Sequence, residues 1–170
     1  EVSFSSLDLI NKQLSLTKIQ SARLPKDFPS RHNFKISDLI SLTKNFSNVR
    51  LAIIGDLIID EYIHCDPIGM SQEDPTIVVT PVVENLFLGG AGIVATNSSG
   101  LGATVDFFSV VGQDKLNKFS KKQLKKCGVN FHLVEDKSRP TTLKTRFRAD
   151  QKTLLRVNRL RSHDLGIKLR

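Results

Sequence analysis

Residues 86–112 (LFLGGAGIVATNSSGLGATVDFFSVVG) constrain the fold most. They hold a glycine cluster, then a run of small residues, then an apolar segment rich in β-branched and aromatic residues. Glycines at a strand-to-helix turn let backbone N–H groups approach a ligand closely, and the helix N-terminus favours negative charge. The pattern predicts a helix over 90–99 and a buried strand over 105–111. It also indicates that a polar or anionic small molecule binds at the turn.

The other apolar segments extend this pattern to an α/β fold. Residues 50–55 (RLAIIG) are typical of a parallel strand that is buried on both faces. An amphipathic helix is predicted over 116–127, with Leu116, Phe119, Leu124 and Cys127 as its apolar positions and Gly128 as its end. Further strands are predicted at 129–134, 141–148 and 153–158, the last two as a hairpin. Pro81 restricts residues 76–88 to an edge strand or a small accessory sheet. We therefore predict a mostly parallel sheet with extra β elements.

The N-terminal residues do not continue the α/β pattern. A short helix is predicted over 3–15, and residues 16–33 have the composition of a linker with two prolines. A second helix is predicted over 38–46 with Ser37 as its N-cap. The chain starts at Glu1, and its only methionine is Met70, so we expect a piece of a longer protein.

Composition excludes several classes of protein. No run approaches the roughly 18 to 20 apolar residues of a membrane span, and no signal-peptide pattern is present, so a soluble cytoplasmic protein without a membrane partner is expected. Cys65 and Cys127 lie far apart without metal-ligand spacing, which predicts reduced thiols and no metal site. The net charge of +8 comes from scattered basic residues, so nucleic acid is not expected as a partner. His64, His132 and His163 lack a catalytic or metal-binding context and are expected to be structural or at the surface.

The glycine cluster matches a dinucleotide-binding fingerprint only in part. Gly90, Gly92 and Ala95 fit G-x-G-x-x-A, but the fingerprint needs an acid at the end of the next strand. Asp106 stands at the start of that strand instead, which disfavours a nicotinamide cofactor. The alternative is that the small residues merely permit close helix packing.

Two further groups of charged residues are candidates for ligand binding. Asp56 follows the first strand and Asp60 comes four residues later, where a carboxylate could accept hydrogen bonds from ligand hydroxyls. Either acid could instead cap a turn. Lys144, Arg146 and Arg148 alternate along one strand and so share a face. They could hold a substrate phosphate or could form a solvated strand edge that discourages pairing.

Three motifs in order carry a family resemblance: IIGDLIIDEYI; MSQEDPTIVVTPVVENLFLGGAGIVATNSSGLGATVDFFSVVGQD; and TTLKTRFRADQKTLLRVNR. Together they resemble the PfkB/ribokinase carbohydrate kinases, in particular the heptose-phosphate kinase branch and its fusions with a cytidylyltransferase-like domain. The resemblance implies a ribokinase-like, mostly parallel sheet with a small β lid, truncated at the C-terminus. Residues 50–170 would be the N-terminal half of a kinase domain. Residues 1–15 resemble the last motif of a nucleotidyltransferase, and residues 16–49 would connect the two.

The resemblance also implies roles for individual residues. Asp60 would bind sugar hydroxyls, and Gly89, Gly90 and Gly92 would line the sugar floor. One of Lys144, Arg146 or Arg148 would hold a phosphate already present on the sugar. Residues 76–88 and 141–158 would form the lid and a homodimer contact. Ile93 stands where the family has an asparagine that touches the sugar, so the substrate could differ from ribose-like sugars.

The intact parent would be a phosphotransferase that uses ATP and Mg²⁺ on a sugar or sugar phosphate. The family's GAGD-type motif supplies the catalytic aspartate, and nothing like it occurs in the 170 residues. No catalytic residue is therefore assigned, no tightly bound cofactor is expected, and the chain alone should be inactive. The alternatives are a catalytically dead module that binds sugar phosphate or dimerises, and, less favoured, a nicotinamide-dependent enzyme.

Overall fold

The computed structural model describes residues 27–166. The helix predicted over 3–15 lies outside the described residues. Contacts divide the chain into two compact units, residues 1–42 and 43–170. No helix among the described residues is long and apolar enough to cross a membrane.

The described part of the first unit is helical. Helix α1 (Phe28–Arg31) has Pro29 in its first turn, and it is followed by helix α2 (Ile36–Lys44). The N-cap prediction for Ser37 is wrong, because α2 already begins at Ile36. The Asp38 carboxylate reaches back from the first turn and accepts a 3.4 Å hydrogen bond from the backbone N–H of Lys35, the residue before the helix.

The second unit contains the sheets. In chain order its elements are a 3₁₀ helix (Asn45–Asn48), β1 (Arg50–Ile54), β2 (Leu57–Met70), β3 (Ile77–Gly90), α3 (Ala91–Gly100), β4 (Thr104–Val111), α4 (Lys115–Lys126), β5 (Asn130–Glu135), β6 (Thr142–Ala149) and β7 (Lys152–Arg159).

A three-stranded sheet of order β1-β4-β5 is parallel throughout, as the sequence predicts. Its core is built from several elements and consists of Leu57 of β2, Ala95 of α3, Val105, Phe107 and Val111 of β4, Leu124 of α4, and Val129 just before β5. The prediction that β1 is buried on both faces is wrong for the described residues. β1 is an edge strand that pairs only with β4, and Ile54 is 82% exposed.

A second sheet has four strands in the order β3-β2-β6-β7. β2 and β6 are parallel, whereas the β2–β3 and β6–β7 pairs are antiparallel. β3 lies at the edge, as Pro81 requires, and the β6–β7 hairpin forms where it is predicted. Strand β2 itself is not predicted. Its inward residues Leu57, Ile59 and Ile63 are buried while Asp60 is partly exposed on the other face, so the acid belongs to a strand and not to a loop.

Helix α4 begins at an N-cap that anchors it. Asp114 Oδ1 accepts a 2.9 Å hydrogen bond from the backbone N–H of Asn117. The prediction that Cys127 lies on the apolar face is wrong: this residue is exposed at the C-cap, and the buried positions are Asn117, Ser120 and Leu124. Gly128 ends the helix with φ +70°, as predicted, and this left-handed turn leads directly into β5.

Candidate functional site

The candidate site lies on one face of the four-stranded sheet. Parallel pairing of β2 with β6 sets Asp60 opposite Lys144 and Tyr62 opposite Arg146. On the other side of β2, Asp60 is opposite Phe87 of β3. Because paired residues share a face, the sheet brings the predicted acid and the predicted cations together.

Asp60 and Arg146 form an ion pair within this face. Arg146 Nη1 donates to Asp60 Oδ1 at 2.5 Å, and the two side chains retain 22% (Asp60) and 23% (Arg146) exposure. This hydrogen bond raises the pKa of Arg146 above its ordinary value, although burial opposes the shift. The guanidinium carbon also lies 5.1 Å from the centroid of the Tyr62 ring. Arg146 is therefore held from two sides.

The predicted glycines have different surroundings. A Cβ at Gly89 would collide with Asp60 Oδ2, so this glycine makes room for the carboxylate. Gly90 has φ +56°, and the next N–H, that of Ala91, donates to the Asp56 carbonyl at 2.9 Å. Gly92 is buried, and a Cβ there would lie 2.6 Å from Leu57 Cδ1. Backbone conformation or close packing thus accounts for a glycine at each of the three positions. That the three together form a sugar floor stays a prediction.

A cavity of about 490 Å³ opens beside Asp60. Ile93 contributes a hydrocarbon wall at the position where the family resemblance would place an amide. Arg148 lies at the cavity too, where its Nη2 donates to the Gln151 carbonyl at 3.1 Å and its buried Nε has no hydrogen-bond partner within the described residues. The full lining is Asp60, Tyr62, His64, Asn85, Phe87, Leu88, Ile93 and Arg148. This cavity can offer a ligand one carboxylate, polar side chains and an aromatic wall.

A second cavity of about 150 Å³ is basic. It is lined by Lys144, Thr145, Arg146, Arg156 and Asn158, which include three cations and no carboxylate. Arg156 and Asn158 were missed at the sequence level. They are opposite Arg146 and Lys144 in the antiparallel β6–β7 pair, and their alternation along β7 was the available signal. Cations and an amide that converge in this way can bind an anion.

The three predicted cations therefore do not act as one set. Arg146 pairs with Asp60, Lys144 lines the basic cavity and Arg148 lines the larger cavity. The alternative that they form a solvated strand edge is wrong, because β6 lies between β2 and β7.

A hydrogen-bonded loop supports the start of β6. Asp114 Oδ2 accepts from the Thr141 N–H at 2.8 Å. Burial raises the pKa of Asp114, but hydrogen bonds from Asn117 and Thr141 more than offset this, so the pKa is lowered. The hydroxyl and N–H of Ser138, with Arg139, lower the pKa of Asp136 to about 2. These contacts fix the loop that leads into the basic strand.

The remaining candidates lie elsewhere. Asp106 is 3.6 Å from His132 Nε2, at the start of β4 and not at the carboxyl end where a ribose-binding acid would be needed. His163 Nε2 is 2.8 Å from Ser138 Oγ. Among residues 27–166, no group of three or more His, Cys, Asp or Glu side chains could hold a metal ion.

The sequence defines the class of protein to which the chain belongs. Residues 50–168 match the pfkB family of carbohydrate kinases. The chain belongs to that family.

The chain is also similar to curated proteins with more specific names. It is 36% identical over 131 residues to "Bifunctional protein HldE" of Geobacter sulfurreducens, which covers 74% of this chain and 26% of that protein. It is also 36% identical over 115 residues to "D-beta-D-heptose 7-phosphate kinase" of Bordetella bronchiseptica, covering 68% of this chain and 37% of that protein. The chain thus spans about a quarter to somewhat over a third of these relatives.

Solved structures confirm the ribokinase-like fold. A carbohydrate kinase from Agrobacterium tumefaciens superposes with a TM-score of 0.53 at 17% identity, over 65% of this chain and 35% of that one. Arabidopsis thaliana ribokinase, solved with ribose and ATP, gives 0.52 at 15% identity, over 66% and 35%. At these identities the likeness shows the fold alone.

Proposed function

We propose that this chain provides the acceptor-binding part of an ATP-dependent kinase whose acceptor is a sugar phosphate similar to heptose 7-phosphate. The observation that carries the proposal is the adjacency of two cavities, one with a carboxylate and one with three cations. A phosphorylated sugar presents hydroxyls and an anion on one molecule, and the two cavities match these groups. Family membership and the names of the curated relatives support the same class of acceptor.

Each side chain then has a role toward the sugar. Asp60 accepts hydrogen bonds from hydroxyls, and Phe87 and Ile93 pack against the carbon skeleton. The phosphate that the sugar already carries is held by Lys144 and Arg156. Arg156 thus takes the place of Arg148 among the phosphate-binding candidates named from the sequence. Ile93 contributes van der Waals contact only, so we propose that the sugar needs no hydroxyl recognition at that point.

Phosphoryl transfer needs more than an acceptor site. The family resemblance implies ATP with Mg²⁺, and the ribokinase of Arabidopsis thaliana was solved with ATP. Transfer depends on positioning and on stabilisation of the phosphoryl charge. We assign neither ATP nor Mg²⁺ to a residue of this chain. We propose that the chain by itself binds the acceptor without turnover, as the lack of a GAGD-type motif in its sequence suggests.

The parent protein is proposed to be bifunctional. The HldE relatives carry that word in their names, and residues 1–15 resemble the end of a nucleotidyltransferase. Residues 16–49 would then connect this domain to the kinase part at 50–170. Expression of the natural open reading frame, followed by separate assays of kinase and nucleotidyl transfer, tests this arrangement.

A homodimer through the four-stranded sheet, which contains most of the predicted lid residues 76–88 and 141–158, is proposed as well. β3 is an edge strand of 14 residues, and its side chains Ile77, Val82 and Val83 are exposed. Such an edge offers both backbone groups and apolar surface to a second copy. Sedimentation equilibrium measures whether the chain dimerises.

The acceptor site is tested by calorimetry with D-β-D-heptose 7-phosphate. We expect Asp60→Asn to weaken binding at least about tenfold, because a carboxylate acceptor of hydroxyl hydrogen bonds becomes an amide. Asp66→Asn is the matched control, since Asp66 is an exposed acid on the same strand outside both cavities. Equal affinities of the Asp60 variant and the unmodified chain would contradict the proposal.

A further inference from the structure

The Asp60–Arg146 ion pair joins the linings of the two cavities. Asp60 lines the larger cavity and Arg146 lines the basic cavity. Arg146 Nη1 donates a hydrogen bond to Asp60 Oδ1. A single hydrogen-bonded contact thus connects the place proposed for hydroxyls with the place proposed for an anion.

Arg146 is well suited to sense an anion. Its Nη1 is committed to Asp60 and its plane lies over Tyr62, but a guanidinium carries five N–H donors in one fork. Lys144 and Arg156 line the basic cavity beside it, so the three positive charges around this cavity repel one another, although Asp60 offsets part of the charge of Arg146. An anion in that cavity would neutralise the repulsion and accept hydrogen bonds from the remaining donors of Arg146.

We propose that Arg146 is a positioning residue that couples anion binding in the basic cavity to hydroxyl binding at Asp60. This inference rests on the proposed function, because it assumes that both cavities take parts of one acceptor. Arg146 already contacts Asp60, and an anion that neutralises the repulsion from Lys144 and Arg156 holds this contact more firmly, so that the carboxylate is fixed before the sugar arrives. The ordering that the sugar would otherwise impose has then already taken place, so its affinity rises. By linkage, the sugar raises the affinity for the anion by the same factor.

The geometry favours positive over negative coupling. Gly89 leaves room for Asp60 Oδ2 on one side, and Arg146 holds Oδ1 on the other. The ring of Tyr62, itself 5.8 Å from Phe87 in an edge arrangement, supports the guanidinium from below. An anion that approaches from the basic cavity meets the free donors of Arg146 without having to break the Asp60 contact.

The experiment separates the two parts of the acceptor. The full chain is titrated with unphosphorylated heptose in the presence and absence of saturating inorganic phosphate, at matched ionic strength. We expect phosphate to raise the heptose affinity at least about fivefold. Arg146→Lys keeps the charge but loses the fork, and the gain should fall below about twofold. Lys152→Met removes a lysine of the same hairpin outside the basic cavity and should keep the full gain.

Each outcome bears on the proposal. Equal or weaker heptose binding with phosphate overturns the coupling, while binding of heptose 7-phosphate would leave the proposed function standing. A gain that Arg146→Lys retains in full overturns the role of Arg146. If that variant does not fold, Tyr62→Leu removes the ring beneath the guanidinium and should also reduce the gain. Absence of binding by heptose 7-phosphate overturns both the coupling and the proposed function.

Discussion

The glycine turn at residues 89–92 and the basic hairpin formed by β6 and β7 lie on opposite sides of strand β2 and are specified differently. In the turn, conformation follows from the local sequence: Gly90 needs φ +56°, and helix α3 starts directly after it. In the hairpin, spacing places three cations on one face, but their partners come from other strands. Arg146 meets an acid 86 positions away, and Lys144 shares a cavity with Arg156.

The difference shows what a strand register adds to a motif. A turn or cap is closed by residues within a few positions, so its residue types reveal it. A charge on a strand acquires its role only when its neighbours across the sheet are known. We expect that Gly89 is required because of the distant acid Asp60, whereas contacts between near neighbours stabilise the loop before β6.

Gly89→Ala should have the largest effect. The added Cβ would collide with Asp60 Oδ2 at a buried position, so either the carboxylate or the backbone must shift. We expect a loss of about 1 to 3 kcal/mol in the free energy of unfolding, measured by urea titration, with weaker heptose 7-phosphate binding.

Gly100→Ala is the control for this change. Gly100 ends helix α3, and a Cβ there would meet no atom within 4 Å. Alanine favours helix more than glycine, so stability should stay level or rise by up to about 1 kcal/mol. Equal losses in both variants would show that the collision with Asp60 is not what makes Gly89 necessary.

The Asp60–Arg146 pair should show a smaller but measurable coupling in stability. Loss of either partner leaves a partly buried charge, so each of Asp60→Asn and Arg146→Met destabilises the chain. The double variant should lose about 1 kcal/mol less than the sum of the single losses. Urea titration of the unmodified chain, the two single variants and the double variant completes this double-mutant cycle. Strict additivity would mean that the contact contributes nothing to stability.

Much of the α/β framework could be predicted from the sequence. The helix after the glycine cluster, the parallel strands and the hairpin around Ala149 to Lys152 are confirmed, because periodicity, Gly128 and Pro81 act locally. Strand β2 could not be predicted, since Asp60 looks like a loop residue until its neighbours across the sheet are known. Ser37 is wrong as the N-cap because the helix begins at Ile36, one residue before it.

The site was predictable in some of its members but not in its contacts. Lys144, Arg146 and Arg148 alternate along one strand as predicted, but the sequence shows neither that Asp60 shares their face nor that it pairs with Arg146. Arg156 was missed because its position beside the cations depends on the hairpin register. Their roles toward a sugar stay predictions.

The smallest expected effect on stability concerns Asp136. Its partners are close in sequence, whereas the partner of Arg146 is distant. Ser138 and Arg139 lie two and three residues after Asp136, and together they lower its pKa to about 2 from the usual 3.8. A carboxylate with a lowered pKa in the folded state stabilises the fold fully above its unfolded pKa, and this contribution is lost as pH falls toward the folded value. The difference in unfolding free energy between the unmodified chain and Asp136→Asn should therefore be constant above about pH 5 and shrink between about pH 4 and pH 2.

Circular dichroism with urea at each pH measures that difference. Asp150→Asn is a suitable control, because Asp150 is an exposed acid in the hairpin turn with φ +50°, a conformation that asparagine adopts readily. Its difference from the unmodified chain should vary little over the same range. A pH-independent difference for Asp136→Asn would show that the loop before β6 is not stabilised by its own neighbours. Local sequence would then specify the approach to the hairpin no better than it specifies the partner of Arg146.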